Sequence, residues 1–333
     1  MIFTRTPFRM SFFGGGTDIP EFFREHGGAV ISTTFDKYVY VNVRHLPRFF
    51  EHRNQVTYSR IERVGSVEEI EHPAVRNAMQ MLDMRDLIVN YDADLPARTG
   101  LGSSSSFAVG MLNAFYALKG KYVGKRQLAE DAIHLERVLC NEAGGWQDQI
   151  AASYGGFNRI DFNSEGYVLR PIVIHPDRKK QLNENLMMFF TGFSRFSSEI
   201  QSDTKKMITD KTRQLLEMKE LVDIAEGILE DKHGDLDEFG RLLDHTWRLK
   251  RQTGSKISTG SIDEMYSKAL EAGALGGKLL GAGGGGFLLF YVDKEKQETV
   301  KAALDKLLYV PFSFENAGTQ IIHYTPEQYD ITD

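Results

Sequence analysis

Residues 96–106 read Pro96-Ala-Arg-Thr-Gly100-Leu-Gly102-Ser-Ser-Ser-Ser106, and they join a strand-like segment at 86–92 to a helix-like one at 103–120. A strand that runs through such a tract into a helix aims loop amides and first-turn helix amides at one spot. That geometry binds anions. Glycine lets the backbone approach a phosphate without a Cβ in the way. The serine hydroxyls can cap the helix or reach a phosphate-bound Mg²⁺. A serine-capped helix behind a flexible loop would carry the same letters, so the tract by itself leaves both readings open.

Outward from this tract the pattern is α+β. Residues 2–6, 10–13 and 29–44 are rich in β-branched and aromatic residues, with Tyr38 and Tyr40 alternating against Val39 and Val41, so a β-rich start is expected. Helices are expected at 73–84, 103–120, 125–142, 146–153 and 259–273, and strands at 156–162 and 186–190. The stretch 197–251 reads as long polar helix, broken near Lys232-His233-Gly234. Strands at 275–280 and 286–292, a helix at 294–307, and strands at 309–314 and 319–324 complete the chain. A change of composition near 185 divides it into lobes 1–185 and 186–333, with no repeat and no low-complexity linker.

Composition narrows the classes of partner. The 333 residues are 41% hydrophobic and 26% charged, ordinary for a globular chain with a sizeable core. With 40 Lys+Arg against 46 Asp+Glu the formal charge is −6, so no global field attracts nucleic acid or an anionic membrane. The single cysteine, Cys140, cannot form an internal disulfide, the start reads as strand instead of a signal segment, and no apolar run is long enough to span a bilayer. A soluble cytoplasmic chain is expected, with no nucleic-acid or membrane partner; self-association as a homodimer is left open.

Two further glycine-rich tracts matter. Gly281, Gly283 and Gly286 match G-x-G-x-x-G, but the strand-like Phe287–Val292 follows where a dinucleotide fold needs a helix, so that reading is rejected. No segment matches G-x-x-x-x-G-K-[ST], because Gly273–Leu279 has neither the spacing nor the hydroxyl. What remains for 281–286 is a tight glycine turn against a ligand or another loop. Residues 9–18, Arg-Met-Ser-Phe-Phe-Gly-Gly-Gly-Thr-Asp, set a cation and a carboxylate on either side of a turn; alone, Asp18 reads as the N-cap of a helix at 19–25.

Taken in order, the three tracts resemble the motifs of the GHMP kinases, the superfamily of galactokinase, homoserine, mevalonate and phosphomevalonate kinases. The resemblance spans residues 5 to 291. It implies a two-lobed fold, with an N-terminal lobe like ribosomal protein S5 and a ferredoxin-like C-terminal lobe. Arg9, Gly14, Thr17 and Asp18 fall on the Arg, Gly, Thr and Asp of the galactokinase first motif, R-x-N-x-I-G-E-H-T-D, while Gly15 and Gly16 stand where that motif has Glu-His. Pro96, Gly100, Leu101, Gly102, Ser103 and Ser104 meet P-x-x-x-G-L-G-S-S in full. Lys278-Leu-Leu-Gly281-Ala-Gly283-Gly284-Gly-Gly286 meets the third motif.

The family also carries a Mg²⁺-binding Glu followed by a catalytic Asp in a G-x-x-D context; here these fall on Glu136 and Asp148, with one more residue between them than in mevalonate kinase and with Glu142 as the alternative ligand. The resemblance implies ATP held by Gly100–Ser105 together with Gly283 and Gly284. It also implies Mg²⁺ on Ser104 and Glu136, catalysis by Asp148 with Arg9, and substrate held by Gly15, Gly16, Thr17 and Asp18.

A narrower resemblance rests on Phe13–Asp18, Gly144-Gly-Trp-Gln-Asp-Gln149, Thr191–Ser197 and His245-Thr-Trp247-Arg-Leu-Lys250. It is similar to the D-glycero-D-manno-heptose 7-phosphate kinase group, parts of which bacterial fucokinases share. That implies a sugar phosphate substrate phosphorylated at its anomeric hydroxyl. Arg195 is the first candidate for the distal phosphate because a planar guanidinium suits it, with Lys37, Arg48 and Arg53 behind it. Trp247 reads as packing, and Lys250 as lining or packing of the substrate lobe. A non-catalytic sugar sensor and an ATP-dependent decarboxylase share the scaffold; Ser104, Glu136 and Asp148 argue against the first, and the sugar-kinase-like first motif against the second.

Overall fold

The strand Ile2–Phe13 runs antiparallel to Gly28–His45, and this pair anchors a sheet of nine strands. The computed structural model describes residues 1–192, 197–254, 257–281 and 283–326. The alternation around Tyr38 behaves as its period demands: Val39, Val41 and Val43 are fully buried, while Tyr38, Tyr40 and Asn42, which alternate with them, are half-buried. Residues 2–6 and 10–13 are one strand, not two. The register shifts at Pro7/Phe8 and Ser11/Phe13 bend it without ending it, and Pro7 sits at such a shift, where a missing N–H costs least.

Gly28–His45 is the hub of the sheet. It also pairs with Leu87–Ala93, Phe157–Asn163 and Phe314–Glu315. The helix Ser103–Leu118, buried along most of its length, packs across Ile2–Phe13 and Gly28–His45. Its position places the start of that helix, and so the tract at 96–106, beside Arg9.

A second sheet has the order Leu308–Tyr309, Leu186–Phe190, Phe287–Val292, Ala274–Leu279, all antiparallel. Every residue of Phe287–Val292 is buried, and the helix Asp237–Gln252 lies against Ala274–Leu279. Phe12 and Phe13 from the first sheet meet Phe239 of that helix with ring centroids 5.3 and 5.1 Å apart, edge to face. The two lobes therefore share one core.

The expected division at 185/186 falls where the second sheet begins, with one exception. The expected strand at 309–314 is split: Leu308–Tyr309 closes the second sheet, whereas Phe314–Glu315 pairs with Gly28–His45, and Gln320–Tyr324 pairs with the first strand. The chain end thus returns to the N-terminal lobe. The expected helix at 294–307 shortens to a 3₁₀ turn, Lys294–Lys296, and the helix Gln297–Ala303. The strands Asn54–Thr57, Ile61–Val64 and Gly166–Pro171 fill out the first sheet, and the chain also forms the helices Pro20–His26, Pro73–Met81, Pro176–Asn185 and Gly260–Glu271. The break near 232–234 lies between the helix Ser197–Glu230 and Asp237–Gln252.

Candidate active site

The helix Ser103–Leu118 starts from Gly102, whose φ of 77° is open to glycine, and no side chain caps it. The N–H groups of Ser103, Ser104 and Ser105 have no acceptor within the helix, because the first ladder bond runs from Ser106 N–H to Gly102 O. The cap we expected from the serines is not made. Their hydroxyls turn elsewhere: Ser103 Oγ lies 3.2 Å from Tyr91 Oη, Ser106 Oγ donates to Pro7 O, and Ser104 and Ser105 donate to the two oxygens of Glu136 at 2.8 and 2.7 Å. The first turn is left with free amides, a macrodipole pointing at them, and a carboxylate alongside.

Glu136 is 1% exposed, and among the described residues its carboxylate is held by Ser104, Ser105 and Gln149 with no cation paired to it. Its third donor is Gln149 Nε2. Arg126 pairs with Glu130, and Arg137 donates to the carbonyls of Ala143 and Gly145, so neither arginine makes Glu136 a surface ion pair. A buried carboxylate held only by neutral groups beside a phosphate-type cradle suits Mg²⁺, which takes one or two protein oxygens and completes its shell with water and phosphate. Ser104 and Glu136 fit that ion; among the described residues no cluster of three acidic, His or Cys groups would hold a metal unaided.

Glu136 lies in a π turn, Leu135–Leu139, that ends the helix begun at Lys125. A π turn holds one residue more than an α turn. It replaces the uninterrupted helix expected at 125–142. Glu142 lies at the surface, yet burial of its surroundings and then the Glu136 charge push its carboxyl up to about 6.

Asp148 sits in the first turn of the helix Gln147–Tyr154. Arg9 Nε and Nη2 donate to Asp148 Oδ1 at 2.8 and 2.7 Å, and Arg9 Nη1 donates to Gly100 O at 2.8 Å. Arg9 is 5% exposed, so its guanidinium is locked between the carboxylate and the glycine tract. A Cβ placed on Gly102 would stand 3.5 Å from Asp148 Oδ2, which brings the second carboxylate oxygen to the edge of the cradle. Arg9 N–H donates to Leu101 O, tying the buried Leu101 to the same strand.

The first tract divides in two. Gly15, Gly16 and Asp18 line a cleft of about 110 Å³ together with Arg9, Ser11, Gln147, Asp148 and Lys250. Asp18 accepts from Gly16 N–H at 2.9 Å and Gln147 N–H at 3.3 Å, and burial followed by the nearby Asp148 charge raises its carboxyl above the usual range. It does not cap the helix Pro20–His26, whose N-cap is Ile19. Thr17 is not on the cleft: fully buried, it donates to Gly14 O and Ala29 O and accepts from Ala29 N–H, so it latches the turn to the neighbouring strand.

The third tract meets another loop. A Cβ on Gly281 would overlap Gly100 Cα, one on Gly100 would overlap Leu280 O, and one on Gly286 would overlap Thr99 O. The tracts at 99–102 and 280–286 therefore pack backbone to backbone. Gly283 and Gly284 pack on Ile257: Gly284 N–H donates to Ile257 O at 2.9 Å, and a Cβ on Gly283 would stand 2.7 Å from Ile257 Cα. Lys278 is buried, donates to Phe12 O at 2.7 Å and is pushed well below the usual lysine range by burial. It joins the lobes.

Lys250 reaches the cleft from the helix Asp237–Gln252 and donates to Gly281 O. Burial, then Arg9, pushes its pKa down to about 8 against the pull of Asp18 and Asp148. Of the two readings the sequence left for Lys250, lining or packing, the structure shows lining, and its i+3 spacing from the fully buried Trp247 puts it one turn further along the same helix. Ser11, Gln147 and Arg137 were missed. Arg195 lies outside the described residues, and Lys37, Arg48 and Arg53 do not line the cleft. Among the described residues no helix is long and apolar enough to cross a membrane.

Comparison with known proteins agrees with this geometry. The family model for the GHMP kinases N terminal domain matches residues 69–156, and that for GHMP kinases C terminal matches 223–310. D-glycero-alpha-D-manno-heptose 7-phosphate kinase of Campylobacter jejuni is 27% identical over 95% of this chain and 97% of its own. The L-fucokinase/L-fucose-1-P guanylyltransferase of Bacteroides fragilis is 25% identical over 90% of this chain, which spans 35% of that larger protein. A crystal structure of a D-glycero-D-manno-heptose 1-phosphate kinase from Bacteroides thetaiotaomicron superposes with a TM-score of 0.78 at 23% identity, covering 97% of this chain and 99% of the other. With an N-terminal and a C-terminal family model both matched along the chain, it belongs to the GHMP kinases.

Proposed function

We propose that this chain transfers the γ-phosphoryl group of ATP to the anomeric hydroxyl of a sugar phosphate, with D-glycero-D-manno-heptose 7-phosphate the first candidate. The observation that carries this reading is the locked pair of Arg9 and Asp148 at the edge of the amides that open the helix Ser103–Leu118. Phosphoryl transfer asks little covalent help of a protein and depends on positioning and charge stabilisation. The uncapped amides of Ser103–Ser105 bind phosphate oxygens. Ser104 and Glu136 hold Mg²⁺, which when bound neutralises charge on the phosphates. Asp148, oriented by Arg9, accepts or directs the proton of the attacking hydroxyl through Oδ2, the oxygen to which Arg9 makes no bond. Arg9 stabilises charge on the transferring group.

The relatives support the sugar part: a heptose 7-phosphate kinase and a fucokinase both align along nearly the whole of this chain. The test is ATP consumption with D-glycero-D-manno-heptose 7-phosphate, L-fucose and free hexoses, with the product's linkage read by phosphorus NMR. Turnover favouring heptose 7-phosphate with a new anomeric phosphate is expected. A preference for free fucose would move the substrate to the alternative while keeping the kinase reading; no turnover on any sugar would overturn it.

A further inference from the structure

Two polar side chains in the cleft have no part in the chemistry just described. Ser11, on the strand Ile2–Phe13, and Gln147, which opens the helix carrying Asp148, are each 7% exposed. Ser11 Oγ and Gln147 Oε1 are both buried with no hydrogen-bond partner. Buried polar atoms in that state are rare in folded proteins, and two on the wall of one cleft call for a ligand that completes them.

Gly15 lies between them. A Cβ built there would stand 3.6 Å from Ser11 Oγ and 3.9 Å from Gln147 Nε2, ordinary contact distances, and the Gly15 backbone is not left-handed, unlike that of Gly14 and Gly16. Neither strain nor crowding requires glycine at position 15. What its missing side chain preserves is the space between the two polar groups. Asp18 nearby has an oxygen engaged by each of two backbone amides, Gly16 and Gln147, so its carboxylate is held as part of the wall.

We infer that Ser11, Gln147 and the gap at Gly15 form a hydroxyl-reading pocket for a sugar hydroxyl remote from the phosphorylated one. A hydroxyl both donates and accepts; Gln147 offers a carbonyl acceptor and amide donors, and Ser11 offers both roles. The pocket replaces with small and neutral groups the Glu-His pair that the galactokinase first motif sets at positions 15 and 16. This inference rests on the sugar-kinase reading and goes further, to the residues that choose the sugar.

Three variants test it with the sugar that wild type turns over best: Gly15→Ala, Ser11→Ala and Gln147→Met. Each should raise the sugar KM roughly 10–100-fold, leave the ATP KM within about twofold, and leave Tm unchanged or higher, since they fill space or remove an unpaired atom. Gly15→Ala is the decisive variant because it deletes nothing. Monodeoxy analogues of that sugar add a second readout: one of them should lose a similar factor with wild type and little more with Gln147→Met. An unchanged sugar KM in Gly15→Ala and Gln147→Met, both folded, overturns the pocket alone. Absence of turnover on any sugar by wild type overturns the sugar reading and the pocket with it.

Discussion

In one region of the site side chains do the holding, Arg9 on Asp148 and Gly100, and Glu136 on Ser104 and Ser105; in the other, where 99–102 meets 280–286, the contact is backbone against backbone. The first region concentrates charge at named atoms, so a change there can remove chemistry and leave the fold. In the second the close approach is made by glycines, which have no side chain to remove. A change can only push two loops apart, so stability and phosphate binding should fail together.

The largest effect should come from Asp148→Asn. The carboxylate is about a quarter exposed, and the amide keeps its shape, so the variant should fold and still bind ATP. A general base contributes roughly 10²–10⁴-fold, and kcat should fall by about that range in single-turnover assays. Turnover within tenfold of wild type would remove Asp148 from the chemistry and end the contrast on its charged side.

The counterpart across the cleft is Gly281→Ala. Gly281 has φ of 84°, and a Cβ there meets the Gly100 backbone. Left-handed strain and overpacking together should cost roughly 2–5 kcal/mol. Thermal unfolding should show the loss, and nucleotide titration of the folded fraction should show weaker ATP binding, because Gly100 carries the carbonyl that fixes Arg9. A stability loss with unchanged ATP affinity would separate the two loops and show that the glycine contact only packs.

How far each side could be read from the sequence follows from the same difference. Arg9, Ser104, Glu136 and Asp148 carry their chemistry in their own identity, and fixed motif spacing brings them forward. The tract at 281–286 was legible as a turn against a ligand or another loop, but not which, because that depends on how the two sheets share a core. Lys250 was legible only as lining or packing, and Ser11 and Gln147 were hidden for a related reason. Each reads as an ordinary residue of a helix or strand, and only the meeting of the lobes gives it a partner or denies it one. The strand Gln320–Tyr324 likewise alternates too weakly to name the sheet it joins, and it joins the edge of the first.

Lys250 links the two regions, since its ammonium faces Arg9, Asp18 and Asp148 while donating to Gly281 O. Its pKa is about 8 in the fold against 10.5 ordinarily. Below pH 8 both folded and unfolded chains carry the proton, and the burial cost is fully present. Between pH 8 and 10.5 the unfolded chain binds more protons, so folding becomes more favourable as pH rises. The Tm of wild type relative to Lys250→Met should therefore climb across pH 7 to 9.5. A flat difference would place Lys250 in water, outside the cleft.

The smallest effect sharpens the comparison from outside it. Gly227 lies exposed in the last turn of the helix Ser197–Glu230, and a Cβ there meets nothing within 4 Å. Alanine restores helix propensity and narrows the unfolded ensemble, which should stabilise the protein by about 0.5–1 kcal/mol. Denaturant midpoints would read the gain, with kcat unchanged. The same substitution, glycine to alanine, is then expected to change sign between Gly227 and Gly281. If Gly227→Ala also destabilises, backbone freedom in this chain matters well beyond the two loops, and the loss at Gly281 no longer reports on their contact alone.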